Sequence, residues 1–367
     1  MSINVGIIGL AKSGKTVIFN ALTRGKTIAS YSQDSLKPHI GIIRVPDPRL
    51  NPLVEMFHPR KTTLVEASYI DIGASLKGLV KDKGIGGELL NQLCTVNALI
   101  NVVRAFVDES IPHDGGSLDV ERDIAALDLE LAFSDLAIIE KKLERLGTSL
   151  KGAKAPERQA FLKEQAILKN FQAGLEKDMP IRELGISLAE ARIIANYQFL
   201  TAKPLLIVVN IGEEQLNGAE TLETELNAVY ARGKRGVTTL CGKLEMELAQ
   251  LDEAAAVDFR AEYGLKESGL ERTIRLSSEL LGLITFFTVG SDEVKAWSIQ
   301  SGTAALKAAG KIHSDIERGF IRAEVISCDD LVECGGFAEA RKRGRLRLEG
   351  KDYIVRDGDV ITFLFNV

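Results

Sequence analysis

The sequence predicts an α/β protein. A doubly wound, mostly parallel sheet carries an inserted antiparallel helical hairpin and is followed by a small mixed α/β domain. Three observations predict this. Short β-branched runs bounded by glycine or proline alternate with helical stretches in the N-terminal part and again from Pro204. Between Leu118 and Thr201 glycine becomes sparse and the apolar spacing turns helical. From Leu283 the pattern is strand-like again.

The elements follow in order. Ile3–Ile8 is a β-branched run that ends at a glycine and reads as a buried strand. A glycine-bounded loop follows, and Thr16–Leu22 reads as a helix. Val65–Ile70 and Leu99–Val107 read as further strands. In the helical region Leu136, Ile139, Leu143, Leu146 and Leu150 repeat with the a/d spacing of a coiled coil. Gly152–Pro156 breaks that seam, and a second stripe follows at Phe161, Leu168, Phe171 and Leu175. Two helices about a short turn make an antiparallel hairpin, which is either a plain surface insertion or an arm that binds a partner. Pro204–Val209 resumes the sheet, so the hairpin interrupts the first domain. Tyr353–Phe363 reads as a hairpin about Asp357-Gly358. The resulting boundaries are 1–117 and 202–282 for the two parts of a nucleotide-binding domain, 118–201 for the helical insertion, and 283–367 for the terminal domain.

The chain has 367 residues, room for two or three domains of roughly 150 residues. Its formal net charge is −5, so any contact with nucleic acid must be a local basic patch. One such run is Arg341-Lys342-Arg343-Gly344-Arg345-Leu346-Arg347. It is either a solvated charged edge or a contact for RNA phosphates. The four cysteines form no CxxC pair and there are only four histidines. This argues against a disulfide framework and a zinc site and for a reducing cytoplasm. Neither an export signal nor a membrane-length apolar run is present in the sequence, so no membrane partner is expected.

Chemistry concentrates at Gly9-Leu10-Ala11-Lys12-Ser13-Gly14-Lys15-Thr16, which fits G-x-x-x-x-G-K-[ST] between a strand and a helix. In a P-loop of this kind, Gly9, Lys12, Ser13 and Gly14 lie around the phosphates. Lys15 reaches the β- and γ-phosphates, and the Thr16 hydroxyl binds Mg²⁺. Asp71, at a strand end, is the expected metal carboxylate. Ser35, in the polar stretch Ser30–Pro38, is the hydroxyl expected to complete the metal site when a loop closes. GTPases read guanine with Asn-Lys-x-Asp after a late strand. Here the corresponding residues are Asn210-Ile211-Gly212-Glu213. Ile211 stands where a lysine would stack on the base, and Glu213 is one methylene too long for the paired guanine contact. Asn210 remains able to bond an adenine edge, so the site favours ATP.

These residues resemble the YchF/Obg-like ATPases, P-loop proteins of the GTPase class that prefer ATP. The likeness spans essentially the whole chain. It rests on the phosphate loop, Val45-Pro46-Asp47-Pro48-Arg49-Leu50, Asn101-Val102-Val103-Arg104, Asn210–Glu213 and Lys243-Leu244-Glu245. Its most specific part is Gly310–Asp315, Gly319–Glu324 and Glu349–Val355, which resemble the family's TGS domain. The resemblance implies that the hairpin is the family's coiled-coil insertion. It also implies base contacts from the backbone of Cys241 and Gly242, and a partner in the ribosome or its RNA, reached through the TGS-like domain and the arm. Some positions depart from the family. Ala11-Lys12-Ser13 replaces Pro-Asn-Val, Asp71-Ile72-Gly73-Ala74 replaces Asp-x-Ala-Gly, and Asn101 replaces a histidine. Ser75 stands where GTPases place a water-orienting glutamine. In related P-loop proteins an asparagine at the Lys12 position helps hold a monovalent cation, so Lys12 is read as a built-in catalytic cation beside the phosphates. The expected function is a slow Mg²⁺-dependent ATPase switch. Gly78, Gly84, Gly86 and Gly87 would serve its second mobile loop. A non-hydrolysing ATP-binding module and an Obg-type GTPase are the alternatives.

Overall fold

The computed structural model describes residues 3–23, 39–72, 87–113, 116–265, 267–290 and 292–366. Its strands are β1 (Ile3–Ile8), β2 (His39–Val45), β3 (Lys61–Thr63), β4 (Val65–Asp71), β5 (Ala98–Arg104), β6 (Leu205–Asn210), β7 (Arg235–Leu240), β8 (Leu283–Val289), β9 (Glu293–Gln300), β10 (Phe320–Ser327), β11 (Arg347–Glu349) and β12 (Asp359–Phe365). They form two units, Met1–Ile43 with Ser68–Leu280 and Arg44–Ala67 with Leu281–Val367. No helix among the described residues is long and apolar enough to cross a membrane.

The first unit holds a sheet in the order β2-β4-β1-β5-β6-β7. Within it β1, β5, β6 and β7 run parallel, with Val5 opposite Ala98, Leu99 opposite Leu205 and Leu205 opposite Arg235. Every residue of β5 and β6 is buried, which is why both read as unbroken apolar runs rather than alternating ones. Strand β5 stops at Arg104, short of the expected Val107. The N–H groups of Ala105 and Phe106 both turn to the carbonyl of Asn210, at 2.8 and 3.1 Å, and Val107 is exposed. The first helix is Lys15–Thr23, a residue longer at each end than the sequence pattern suggests.

The helical insertion is one long helix, Val120–Ser149, and a second, Ala155–Leu175. The Asp119 carboxylate caps the first helix by accepting from Arg122 N–H at 3.0 Å. Ile124, Leu127 and Leu131 join the core of the sheet. Further along, Ile139 and Leu146 pack instead with Ile167, Leu168, Phe171 and Leu175 in a core belonging to the arm. The seam breaks between Ser149 and Ala155, and Pro156 sits in the first turn of the second helix, where its missing N–H has no helical acceptor to lose. The arm is fixed at its root by a buried carboxylate. Asp135 accepts from Leu200 N–H at 2.9 Å, Thr201 N–H at 2.8 Å and the Thr201 hydroxyl at 2.6 Å. Complete burial nonetheless pushes its pKa up to about 6. Arg182 closes the same corner, donating to the carbonyls of Thr201 and Lys203 at 3.1 and 2.9 Å.

The second unit has its own sheet, ordered β11-β10-β12-β8-β9-β3. Residues 44–67, read from sequence as part of the nucleotide-binding domain, cluster here. Strand β3 pairs with β9, Lys61 opposite Glu293, and Leu50 and Leu53 join a core with Phe287, Val294, Ile326 and Val360. Arg49 secures this segment. It donates to Asp47 at 2.9 and 2.8 Å and to Asp357 at 2.7 Å, over the Phe287 ring. The expected terminal hairpin is absent. Strand β12 pairs antiparallel with β10 and parallel with β8. The Asp357-Gly358 turn docks on β8 through Gly358 N–H to the Thr285 carbonyl (2.8 Å) and Thr285 N–H to the Asp357 carboxylate (2.7 Å). Long-range pairing thus outweighs a good local turn. Each cation of the basic run near the end of the chain meets an acid within this unit. Arg341 pairs with Glu324 (2.8 Å), Lys342 (3.7 Å) and Arg343 (3.0 Å) with Glu339, Arg345 with Asp330 (3.0 Å) and Arg347 with Glu349 (3.4 Å).

Candidate nucleotide-binding site

The site is built at the carboxyl ends of the parallel strands β1, β6 and β7, where loops of an open α/β sheet converge. The loop after β1 needs its glycines for two separate reasons. Gly9 has φ 153°, and a Cβ there would lie 2.4 Å from the Val102 carbonyl oxygen of β5. Gly14 has φ 92°, and a Cβ would meet Asn210 Nδ2 at 2.2 Å. Lys12 also adopts a left-handed conformation, φ 60°. Ile18 N–H donates to the Gly14 carbonyl at 3.0 Å, so the helix is hydrogen-bonded from the end of the loop.

Lys15 is buried. Its ammonium donates back to the carbonyls of Gly9 (3.0 Å) and Leu10 (2.9 Å), which hold it against the loop's own backbone. Desolvation lowers its pKa, and Asp71 partly opposes this. Asp71 ends β4, and its Oδ2 accepts from the Thr16 hydroxyl at 3.1 Å. Burial raises the Asp71 pKa against the pull of Thr16, Lys15 and His39. The fold therefore brings together the two expected metal ligands that it describes. Asp71 Oδ1 is buried with no partner among the described residues. A hydroxyl beside a carboxylate with a spare buried oxygen suits a hard cation such as Mg²⁺. Ser35, Gly73, Ala74, Ser75, Gly78, Gly84 and Gly86 lie outside the described residues.

The base loops differ from their sequence reading. Asn210 is 4 % exposed, and both ends of its amide are engaged. Nδ2 donates to the Ser13 carbonyl at 3.1 Å, and Oδ1 accepts from Gly242 N–H at 2.9 Å. Asn210 therefore staples the phosphate loop to the turn after β7, using one N–H and one lone pair of its amide. Ile211 is buried in the sheet core with Leu244, so it does not stand in for a base-stacking lysine. Glu213 forms an ion pair with Lys243 at 2.8 Å. Cys241 is a buried N-cap of the helix Gly242–Leu248. Glu245 is buried and accepts from Gly269 N–H (2.7 Å) and the Ser268 hydroxyl (2.9 Å), tying this turn to the start of the helix Gly269–Leu280.

The Lys12 ammonium lies 3.3 Å from the Pro112 carbonyl. A small cavity is lined by Ser13, Asn101, Arg104, His113 and Asp123 together with Leu10, Ala11, Val102 and Val103. His113 Nε2 and Asp123 Oδ2 are 2.8 Å apart. Sequence reasoning missed this cluster because its members come from β5, the following loop and the start of the arm. The polar Asn101 inside an apolar strand was the available signal.

A strand–glycine loop–helix turn with a buried lysine, a Thr–Asp pair and base loops on neighbouring strands defines a P-loop nucleotide-binding protein of the GTPase class. Residues 283–366 match the family YchF-GTPase_C, described as a protein of unknown function (DUF933). Over the full length of both proteins the chain is 39% identical to the ribosome-binding ATPase YchF of Bacillus subtilis. It is 37% identical to that of Escherichia coli O157:H7, again with 100% of each chain covered. The structure of the Schizosaccharomyces pombe YchF GTPase matches with a TM-score of 0.82 and 30% identity, covering 99% of this chain and 98% of that one. The chain belongs to the YchF family.

Proposed function

We propose that this protein is a slow, Mg²⁺-dependent ATPase switch that acts on the ribosome in the cytoplasm. The observation that carries the reading is the Lys15–Asp71–Thr16 constellation. A buried ammonium on the phosphate loop sits beside a hydroxyl–carboxylate pair able to hold a cation. Backbone N–H groups of the loop and Lys15 would bind the β- and γ-phosphates. Thr16 and Asp71 would hold the metal, with Ser35 as a third ligand. Mg²⁺, when bound, neutralises charge on the phosphate oxygens.

The relatives' names differ on the nucleotide, ATP for the two bacterial proteins and GTP for the yeast structure. The Glu213–Lys243 pair supports ATP. A carboxylate on a longer stem, turned to a lysine, is poorly placed to accept both guanine N–H groups. Losing such a pair costs on the order of 1–3 kcal/mol. The bacterial relatives are named as ribosome-binding, which supports the same partner here. Calorimetric titration with ATP and GTP tests the assignment. ATP should bind at least several-fold tighter, and equal or tighter GTP binding would overturn it. Single-turnover hydrolysis separates this reading from a module that only binds ATP.

A further inference from the structure

We propose that the cavity between the phosphate loop and β5 is a binding site for one small monatomic anion, of which chloride is the common example. Its polar walls come from Ser13 of the loop, Asn101 and Arg104 of β5, and His113 and Asp123. Ser13, Asn101 and Arg104 are 2 %, 1 % and 4 % exposed. Each has a buried polar atom with no hydrogen-bond partner among the described residues: Ser13 Oγ, Asn101 Nδ2 and Arg104 Nη1. Buried polar groups are nearly always bonded, so three such atoms around one cavity point to a shared ligand. All three can donate, which makes that ligand an acceptor. The cavity has room for a particle of about the size of a water molecule, far smaller than a nucleotide.

Charge separates an anion from a water molecule here. The Arg104 guanidinium is always ionised. Its Nε and Nη2 donate to the carbonyls of Phe106 (3.2 Å) and Asp108 (3.3 Å), and it lies over the Phe106 ring. None of these groups carries a full negative charge. The Asp108 carboxylate accepts instead from the Ser110 N–H (2.9 Å) and hydroxyl (2.6 Å). Asp123 is the one carboxylate among the described residues that line the cavity, and it is already covered. Its Oδ1 accepts from Arg122 Nε and Nη2 at 3.2 and 3.0 Å, and its Oδ2 lies 2.8 Å from His113 Nε2. Arg104 and Arg122 against Asp123 leave one positive charge. A water molecule would meet the orphaned donors and leave that buried charge unbalanced, whereas a monovalent anion does both. Occupation would also tie the phosphate loop a second time. The Ser13 carbonyl already accepts from Asn210 at 3.1 Å, and the Ser13 hydroxyl would join the loop to β5 through the anion.

The test uses the full-length chain without nucleotide, in potassium gluconate that is replaced stepwise by potassium chloride at constant ionic strength. The melting temperature of the first unit should rise with chloride and then saturate, by about 4 °C once chloride is tenfold above its dissociation constant. Asn101→Asp places a carboxylate on the same wall as Arg104 and supplies the counter-charge from within. This variant should melt in gluconate no lower than the parent and should not respond to chloride. Crystals of the parent soaked in bromide should show an anomalous peak in the cavity, a readout that does not depend on any variant folding. The proposal is overturned if the cavity shows density without an anomalous signal, which is a water molecule only. It is overturned as well if a bromide peak comes without a saturable rise in melting temperature, which is binding at soaking concentration only. An equal chloride response in a folded Asn101→Asp protein also overturns it, since the stabilising site would then lie elsewhere.

Discussion

Asn210→Ala distinguishes a staple from a base contact. In the native site the Asn210 amide closes two bonds, to the Ser13 carbonyl at 3.1 Å and from Gly242 N–H at 2.9 Å. Truncation leaves both backbone groups buried without those partners. Each such loss costs about 1–3 kcal/mol, and water entering the gap returns part of it, so a net loss of about 3 kcal/mol is expected. With a urea dependence of about 3 kcal/mol per molar, the unfolding midpoint of the first unit should fall by about 1 M. The phosphate loop would also lose its tie to the turn after β7, so ATP and GTP should weaken together by about tenfold, and their ratio should hold. Asn210→Asp should be no milder, because its second oxygen would face the Ser13 carbonyl in place of a donor. The assays are urea denaturation followed by far-UV circular dichroism and calorimetric titration with each nucleotide. A variant that melts like the parent but shifts the ATP-to-GTP ratio several-fold would refute the staple and restore Asn210 as a base-reading residue.

Three further outcomes follow from the same geometry. Arg49→Ala removes the links to Asp47 and Asp357 and the cover over Phe287. It should cost the second unit about 2–4 kcal/mol, and Arg49→Lys should rescue little of it, with thermal melting as the check. The Asp135 pKa, pushed up to about 6, lies above the unfolded value of about 4, so the folded chain holds the extra proton between these values. Its contribution to stability therefore falls as pH rises from about 4 to 6, on the order of 3 kcal/mol in all. Asp135→Asn should flatten that part of the stability–pH curve relative to the parent, and parallel curves would count against this assignment. Lys12→Asn should lower turnover in sodium buffer with ATP affinity largely kept, and potassium should restore part of the loss. Strong potassium stimulation of the parent enzyme at equal ionic strength would rule out Lys12 as the catalytic cation.

Local signals in the sequence determined a good deal of this protein. The run Ile3–Ile8, the glycine loop and the following helix are specified by neighbouring residues. The glycines at 9 and 14 serve backbone angles and close approaches that no other residue fits. The two arm helices are likewise legible from their apolar stripes, because helical periodicity is a property of a single segment. Tertiary structure decided where long-range partners were needed. The Tyr353–Phe363 stretch reads as a hairpin, yet β12 finds more pairing on β10 and β8 than its own turn could offer. Residues 44–67 carry no mark of the unit they join, and only β9 and the core around Phe287 assign them. The side chain of Asn210 bonds Ser13 and Gly242, 197 and 32 residues away along the chain. Charge behaved the same way. The basic run at Arg341–Arg347 is conspicuous in the sequence, yet folding brings Glu324, Asp330, Glu339 and Glu349 against its cations. A linear sequence gives the count of charges and hydrogen-bonding groups, but which of them remain available is fixed only when distant segments meet.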